Sequence, residues 1–131
     1  MTKRQSIFAE GFSHGALPIP AASRIGPFIA SGNIFGFDYA AGAHPETADA
    51  QAALMFQHMQ RIVEAAGGTL DDILKVTVYV QNDSVRAAVD PEWIKAFPDP
   101  ASRPARQTMV QAAMPGNRLI ACDILAVASA A

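Results

Sequence analysis

Arg106 closes the stretch Arg103-Pro104-Ala105-Arg106 and is the side chain best placed for ligand chemistry. It follows a proline-rich, rigid loop from Pro98 to Pro104 and opens a predicted strand. A guanidinium held at such a point can grip a carboxylate through two parallel hydrogen bonds. The same pattern also fits a surface ion pair, which is common and contributes little. Arg103 shares that ambiguity, and its loop position favours the ion pair. His14 lies in a Gly/Pro loop, where an imidazole can transfer protons near neutral pH or stand as a partly exposed loop residue. Ser31 and Gly32 end a predicted strand. Their backbone amides or the Ser31 hydroxyl can face a cleft, or the pair can be an ordinary turn. Trp93 and Phe97, four apart on a predicted helix, belong to the core, an interface or the wall of a substrate cleft.

The strong catalytic signatures are missing. The chain has no phosphate-cradling glycine loop, no His-Glu-x-x-His and no Gly-x-Ser-x-Gly elbow. Its three histidines, His14, His44 and His58, lack metal-ligand spacing, and His58 reads as a structural helix residue. The simplest expectation is a reaction without metal or organic cofactor. A lone cysteine, Cys122, sits in an alternating apolar segment and reads as a buried strand residue. Ten Lys and Arg against twelve Asp and Glu give a net charge of -2, and no basic run exceeds Lys3-Arg4. Nucleic-acid binding needs clustered cations to replace phosphate counterions, so no nucleic-acid partner is expected. Lys3-Arg4 is followed by no apolar signal region, and no stretch is long enough to span a bilayer. The expected location is the cytoplasm, without a membrane partner.

Positioning these residues requires a fold. A length of 131 residues suits one domain, residues 1–131. Strands are predicted over Gln5 to Glu10, Ile25 to Ser31 and Ile34 to Phe37, the last as a hairpin partner of the second. The clearest helix runs from about Thr47 to Ala66, with Met55, Met59, Ile62 and Val63 on one stripe and Gly67-Gly68 as its stop. Val76, Val78 and Val80 alternate with Thr77 and Tyr79 as a half-buried strand. A shorter helix starts near Asp90-Pro91, with Asp90 as N-cap, and ends near Phe97. Two strands, about Arg106 to Ala112 and Leu119 to Val127, close the chain. This order is α+β, a mixed sheet with two helices covering one face. The uncovered face and an apolar content of 50% predict oligomerisation.

Four stretches, in this order, carry a family resemblance: Ile29-Ala30-Ser31-Gly32-Asn33-Ile34, Ile62-Val63-Glu64-Ala65-Ala66-Gly67, Asp72 to Val80, and Arg103-Pro104-Ala105-Arg106. Over about residues 17 to 127 the chain resembles the Rid (RidA/YjgF, reactive intermediate deaminase) family. The resemblance implies a chorismate-mutase-like α+β domain in a homotrimeric barrel, with ligand clefts between subunits. It implies hydrolysis of small enamines or imines to ammonia and a keto product, without cofactor. The family arginine that binds the substrate carboxylate maps onto Arg106. The cysteine after it maps onto Thr108, and a cleft-lining Asn onto Asp90. The family's water-positioning Glu maps onto Ala121, which lacks the needed carboxylate. Asp123, two residues on and on the same strand face, is the candidate substitute. The N-terminal loop aromatic is replaced by the run His14 to Pro20, which puts Pro18 among the residues expected at the substrate.

That loop, with Trp93 and Phe97-Pro98-Asp99, resembles a branch containing 2-aminomuconate deaminases, which act in aromatic degradation. Their substrate is an enamine dicarboxylate. Arg106 would hold one carboxylate, and Arg24, Ser31 or a backbone amide the other. His14 would move protons. The competing implications are a broad-range 2-imino acid deaminase and a trimer that binds a carboxylate metabolite without turnover.

Overall fold

Val76, Val78 and Val80 are fully buried, while Thr77 and Tyr79 between them are only partly so. That alternation places one face of their strand under helices and leaves the other open. The computed structural model describes residues 3–128. Its strands are β1 (Gln5–Ile7), β2 (Ala22–Ile25), β3 (Phe28–Ser31), β4 (Ile34–Phe35), β5 (Ile73–Val80), β6 (Ala105–Val110) and β7 (Ile120–Val127). Its helices are α1 (Ala48–Ala65) and α2 (Val89–Ala96), with short 3-10 turns at Leu70–Asp72 and Asp83–Ala88. The sheet order is β1-β2-β3-β7-β5-β6, and β4 also pairs with β7. Only β5 and β6 run parallel, joined through α2. The sheet is therefore mixed, with both helices on one face.

Helix α1 begins where Thr47 accepts a hydrogen bond from the Ala50 amide (3.1 Å). Met55, Met59, Ile62 and Val63 have no exposed surface and form its core stripe. Gly67, at φ 91°, ends it, and the Gly68 amide donates to Val63 O (2.9 Å). The helix crosses the sheet against Gly36, where a Cβ would lie 2.1 Å from Gln51 O. The side chain of Gln51, fully buried, donates to Pro45 O and Asn117 O and accepts from Leu119 N. It ties the helix start to the approach of β7.

Three expectations about elements need correction. The segment Ile25 to Ser31 is not one strand, because Gly26, at φ 56°, and Pro27 turn the chain between β2 and β3. Phe37 lies beyond β4, which pairs with β7 rather than β3. Asp90 does not cap α2: a 3-10 turn runs directly into the helix, Ala88 holds the cap position, and Asp90 falls in the first turn.

The open sheet face is apolar. Phe28 (65% exposed), Leu74 (62%), Leu125 (48%) and Val127 (41%) all lie on it. They border a groove of about 290 Å³. A patch of this kind marks an interaction surface more often than bare solvent contact.

Candidate active site

The structure separates the candidate residues into two half-sites. The first lies on β6, an edge strand. Arg106 pairs in register with Val76, so its side chain rises on the helical face. There it meets α2. Its Nη2 donates to Asp90 Oδ1 (3.0 Å), and its Cζ lies 4.9 Å from the centre of the Trp93 ring. Trp93 is buried and packs edge-on against Phe97, with centroids 4.8 Å apart. Thr108, two residues along β6, shares the face of Arg106. The guanidinium thus has a fixed base and an open end, with 30% of the side chain exposed. Asp90, expected at the substrate, instead steadies Arg106. Arg103 donates from Nε to Phe97 O (2.8 Å) and staples the rigid loop.

The second half-site surrounds His14. Its ring stands edge-on to Phe12 (5.2 Å) and Phe35 (5.9 Å). Phe12, Leu17 and Ile19 border with it a cavity of about 280 Å³. Pro18 lies exposed in the same loop. His14 Nε2 sits 3.7 Å from where a Gly32 Cβ would project, so Gly32 gives the ring room. That nitrogen is shielded and has no hydrogen-bond partner among the described residues. Burial, and secondarily the charge of Arg118, hold the imidazole below its ordinary pKa of 6.5.

Arg118 escaped the sequence reading. Its Cζ lies 3.6 Å from the centre of the Phe35 ring, and its Nε donates to His44 Nε2 (3.4 Å). No carboxylate pairs with it among the described residues. Burial also lowers its pKa, although a guanidinium remains charged at neutral pH. Nothing in its neighbours along the chain marks it. Only the pairing of Phe35 with Ala121 brings β4 beside the start of β7 and Arg118 over the aromatic ring.

Several expected donors are committed elsewhere. Arg24 donates from Nη1 to Ala66 O (2.6 Å) and from Nε to Gly26 O (2.8 Å), so it caps α1. The Ser31 hydroxyl accepts from Ile124 N (2.9 Å) and donates to Gly32 O (2.8 Å). The Gly32 amide donates to Ala21 O (3.1 Å). Asp123 pairs with Thr77 on the open face, opposite to the face of Arg106, and accepts a bond from Tyr79 Oη (2.8 Å). That bond raises the pKa of Tyr79. Within one chain, Asp123 therefore cannot act beside Arg106. Gly32 lies just beyond β3, and β3 is three strand spacings from β6, or about 14 Å. One chain does not bring His14 and Arg106 together.

A larger cavity, about 580 Å³, adjoins His58. His58 donates from Nε2 to Phe37 O (2.9 Å) and accepts at Nδ1 from Arg61 (3.0 Å). Both nitrogens are thus occupied, as befits a structural residue. Cys122 is wholly buried, and burial pushes its thiol pKa far up, so it carries no nucleophile. Among the described residues no group of three His, Cys, Asp or Glu is placed to hold a metal ion. Among the described residues no helix is long and apolar enough to cross a membrane.

A mixed sheet covered on one face by two helices, with an arginine on its edge strand, defines the class as a small α+β domain. Residues 20–128 match the family described as Endoribonuclease L-PSP. The chain belongs to this family, also called Rid or YjgF. It is 33% identical over 118 residues to 2-iminobutanoate/2-iminopropanoate deaminase of Salmonella typhimurium, covering 82% of this chain and 91% of that protein. Among solved structures, the YjgF gene product of E. coli is 27% identical, with a TM-score of 0.84 over 94% of this chain and 98% of that one. RidA from the Antarctic bacterium Psychrobacter is 25% identical, with a TM-score of 0.85 over the same shares.

Proposed function

We propose that the protein is a cofactor-independent deaminase that hydrolyses a carboxylate-bearing enamine or imine and releases ammonia. The observation that carries this reading is Arg106. It is fixed over Trp93 and partly exposed, and its guanidinium makes one hydrogen bond, to Asp90, among the described residues. Most of its five N–H donors remain for a carboxylate. The deaminase name of a relative at 33% identity supports the same chemistry.

In this reading Arg106 orients the substrate by its carboxylate. An enamine first takes a proton at carbon, gives one up from nitrogen and becomes an imine. Water then adds to the imine carbon with one of its protons passing to nitrogen; the second passes from the new hydroxyl to nitrogen as the C–N bond breaks, and ammonia leaves behind a carbonyl. Guanidinium stays protonated and cannot act as the base. His14, neutral at pH 7, is the proton carrier. Reaching Arg106 requires the His14 half-site of another copy, in a homotrimer with sites between subunits. The uncovered apolar sheet face and the unpaired edge of β6 support that assembly.

The finer assignment is 2-aminomuconate, a dicarboxylate, in aromatic degradation; a broad-range 2-imino acid deaminase is the alternative. Ammonia release from freshly generated 2-aminomuconate beside an amino-acid-derived imine separates them. Turnover of the dicarboxylate well above the small imine supports the first. Saturable binding with no ammonia from either compound supports a metabolite-binding protein instead. Ala121 and the engagement of Asp123 by Tyr79 favour that second reading, because they remove the expected water-positioning carboxylates.

A further inference from the structure

We propose that Arg118 forms a second carboxylate site, so that the ligand is a dicarboxylate whose far end is held by this guanidinium. This deepens the reading above and depends on it for the first carboxylate, at Arg106.

Arg118 is a half-buried cation with no anionic partner among the described residues. Taking a charge out of water without a partner is costly, and stacking on Phe35 offsets only part of that cost. Its one side-chain hydrogen bond among the described residues, from Nε to His44, is long at 3.4 Å. Nη1 and Nη2, the pair that forms the end of the guanidinium fork, make none among the described residues. A bound carboxylate would compensate the charge and accept from the fork.

The surroundings suit such an occupant. The side chains that the Arg118 charge perturbs include His14, His44 and Tyr39, none of them a carboxylate. Phe35 carries the guanidinium on its ring face, and Phe37 packs edge-on against His44 beside it. The other donors considered for the second carboxylate are already used. Arg24 caps α1, the Ser31 hydroxyl bridges β3 to β7, and the Gly32 amide is bonded to Ala21. A monocarboxylate held at Arg106 would leave Arg118 uncompensated.

Calorimetric titration of the purified full chain with two stable probes tests this. Muconate is an unsaturated six-carbon dicarboxylate; sorbate keeps the chain but replaces one carboxylate by a methyl group. Muconate should bind at least about ten-fold more tightly than sorbate, as expected for one added charge-assisted pair. Arg118→Gln should bring the two affinities together by weakening muconate alone. Arg118→Lys should keep part of the preference, which guards against a folding defect in the glutamine variant. A preference retained in Arg118→Gln, equal affinities in the unmodified protein, or no binding of muconate each overturn the proposal. Arg106→Gln should weaken both probes. If it weakens neither while Arg118→Gln removes the preference, the Arg106 reading fails and the Arg118 site stands.

Discussion

Replacing Arg106 by Gln separates a functional arginine from a structural one. The variant keeps a polar side chain over Trp93 but loses the charge and the fork. Each charge-assisted hydrogen bond to a carboxylate contributes about 1.5–3 kcal/mol net, and Gln restores only a weak one. The loss is then about 3–4 kcal/mol, or two to three powers of ten in kcat/KM. The fold should lose far less. The ion pair with Asp90 is solvent-screened, its side chains being 30% and 63% exposed, and such pairs give about 0–1 kcal/mol. Thermal unfolding should shift by a few degrees, while ammonia release at subsaturating substrate falls at least about a hundred-fold. Arg106→Lys, a point charge without the fork, should fall between. Activity of Arg106→Gln within about three-fold of the parent, with an intact fold, refutes the assignment of the carboxylate to this residue.

Other expectations concern the supports of the site. Gly36→Ala puts a Cβ 2.1 Å from Gln51 O, a backbone atom, so α1 must shift; expression or melting temperature should drop as for a loss of more than about 3 kcal/mol, and a near-neutral change contradicts the packing. Arg24→Ala should destabilise by about 1 kcal/mol through the α1 terminus while leaving KM unchanged; a selective rise in KM would return Arg24 to the substrate. His14, His44 and His58 are all held below 6.5, chiefly by burial, so the unfolded chain takes up protons that the folded chain refuses. Their stabilising contribution is complete above about pH 6.5 and is lost as pH falls through the lower folded values. Melting temperatures followed from about pH 8 to pH 5 should therefore be level and then decline, with a rise on acidification contradicting the assignment.

Periodicity made most of this fold legible. The alternation of Val76, Val78 and Val80 and the stripe Met55, Met59, Ile62, Val63 survive because burial of these residues decides both local structure and packing. The turn at Gly26-Pro27 was hidden inside a continuous apolar run, where strand and hairpin share one pattern. Asp90 looked like a cap because the helix start was read at its proline; the 3-10 turn upstream moved the start and freed the carboxylate for Arg106. Arg106 was visible through its rigid loop. Arg118 was not, because its character comes from Phe35 and His44, distant in sequence. Arg24 and Ser31 looked like ligand donors for the converse reason: their backbone acceptors and donors lie on other elements.

In the proposed function, Arg106 of one copy works with His14 of another. Complementation measures this directly. Arg106→Gln and His14→Gln should each be nearly inactive alone. Coexpressed, they form mixed trimers in which some interfaces join an intact Arg106 to an intact His14. Random mixing gives such a site at about a quarter of interfaces, so roughly that fraction of parental ammonia release should return. Mixed trimers, verified by distinct tags, with no more activity than either variant alone would contradict the claim.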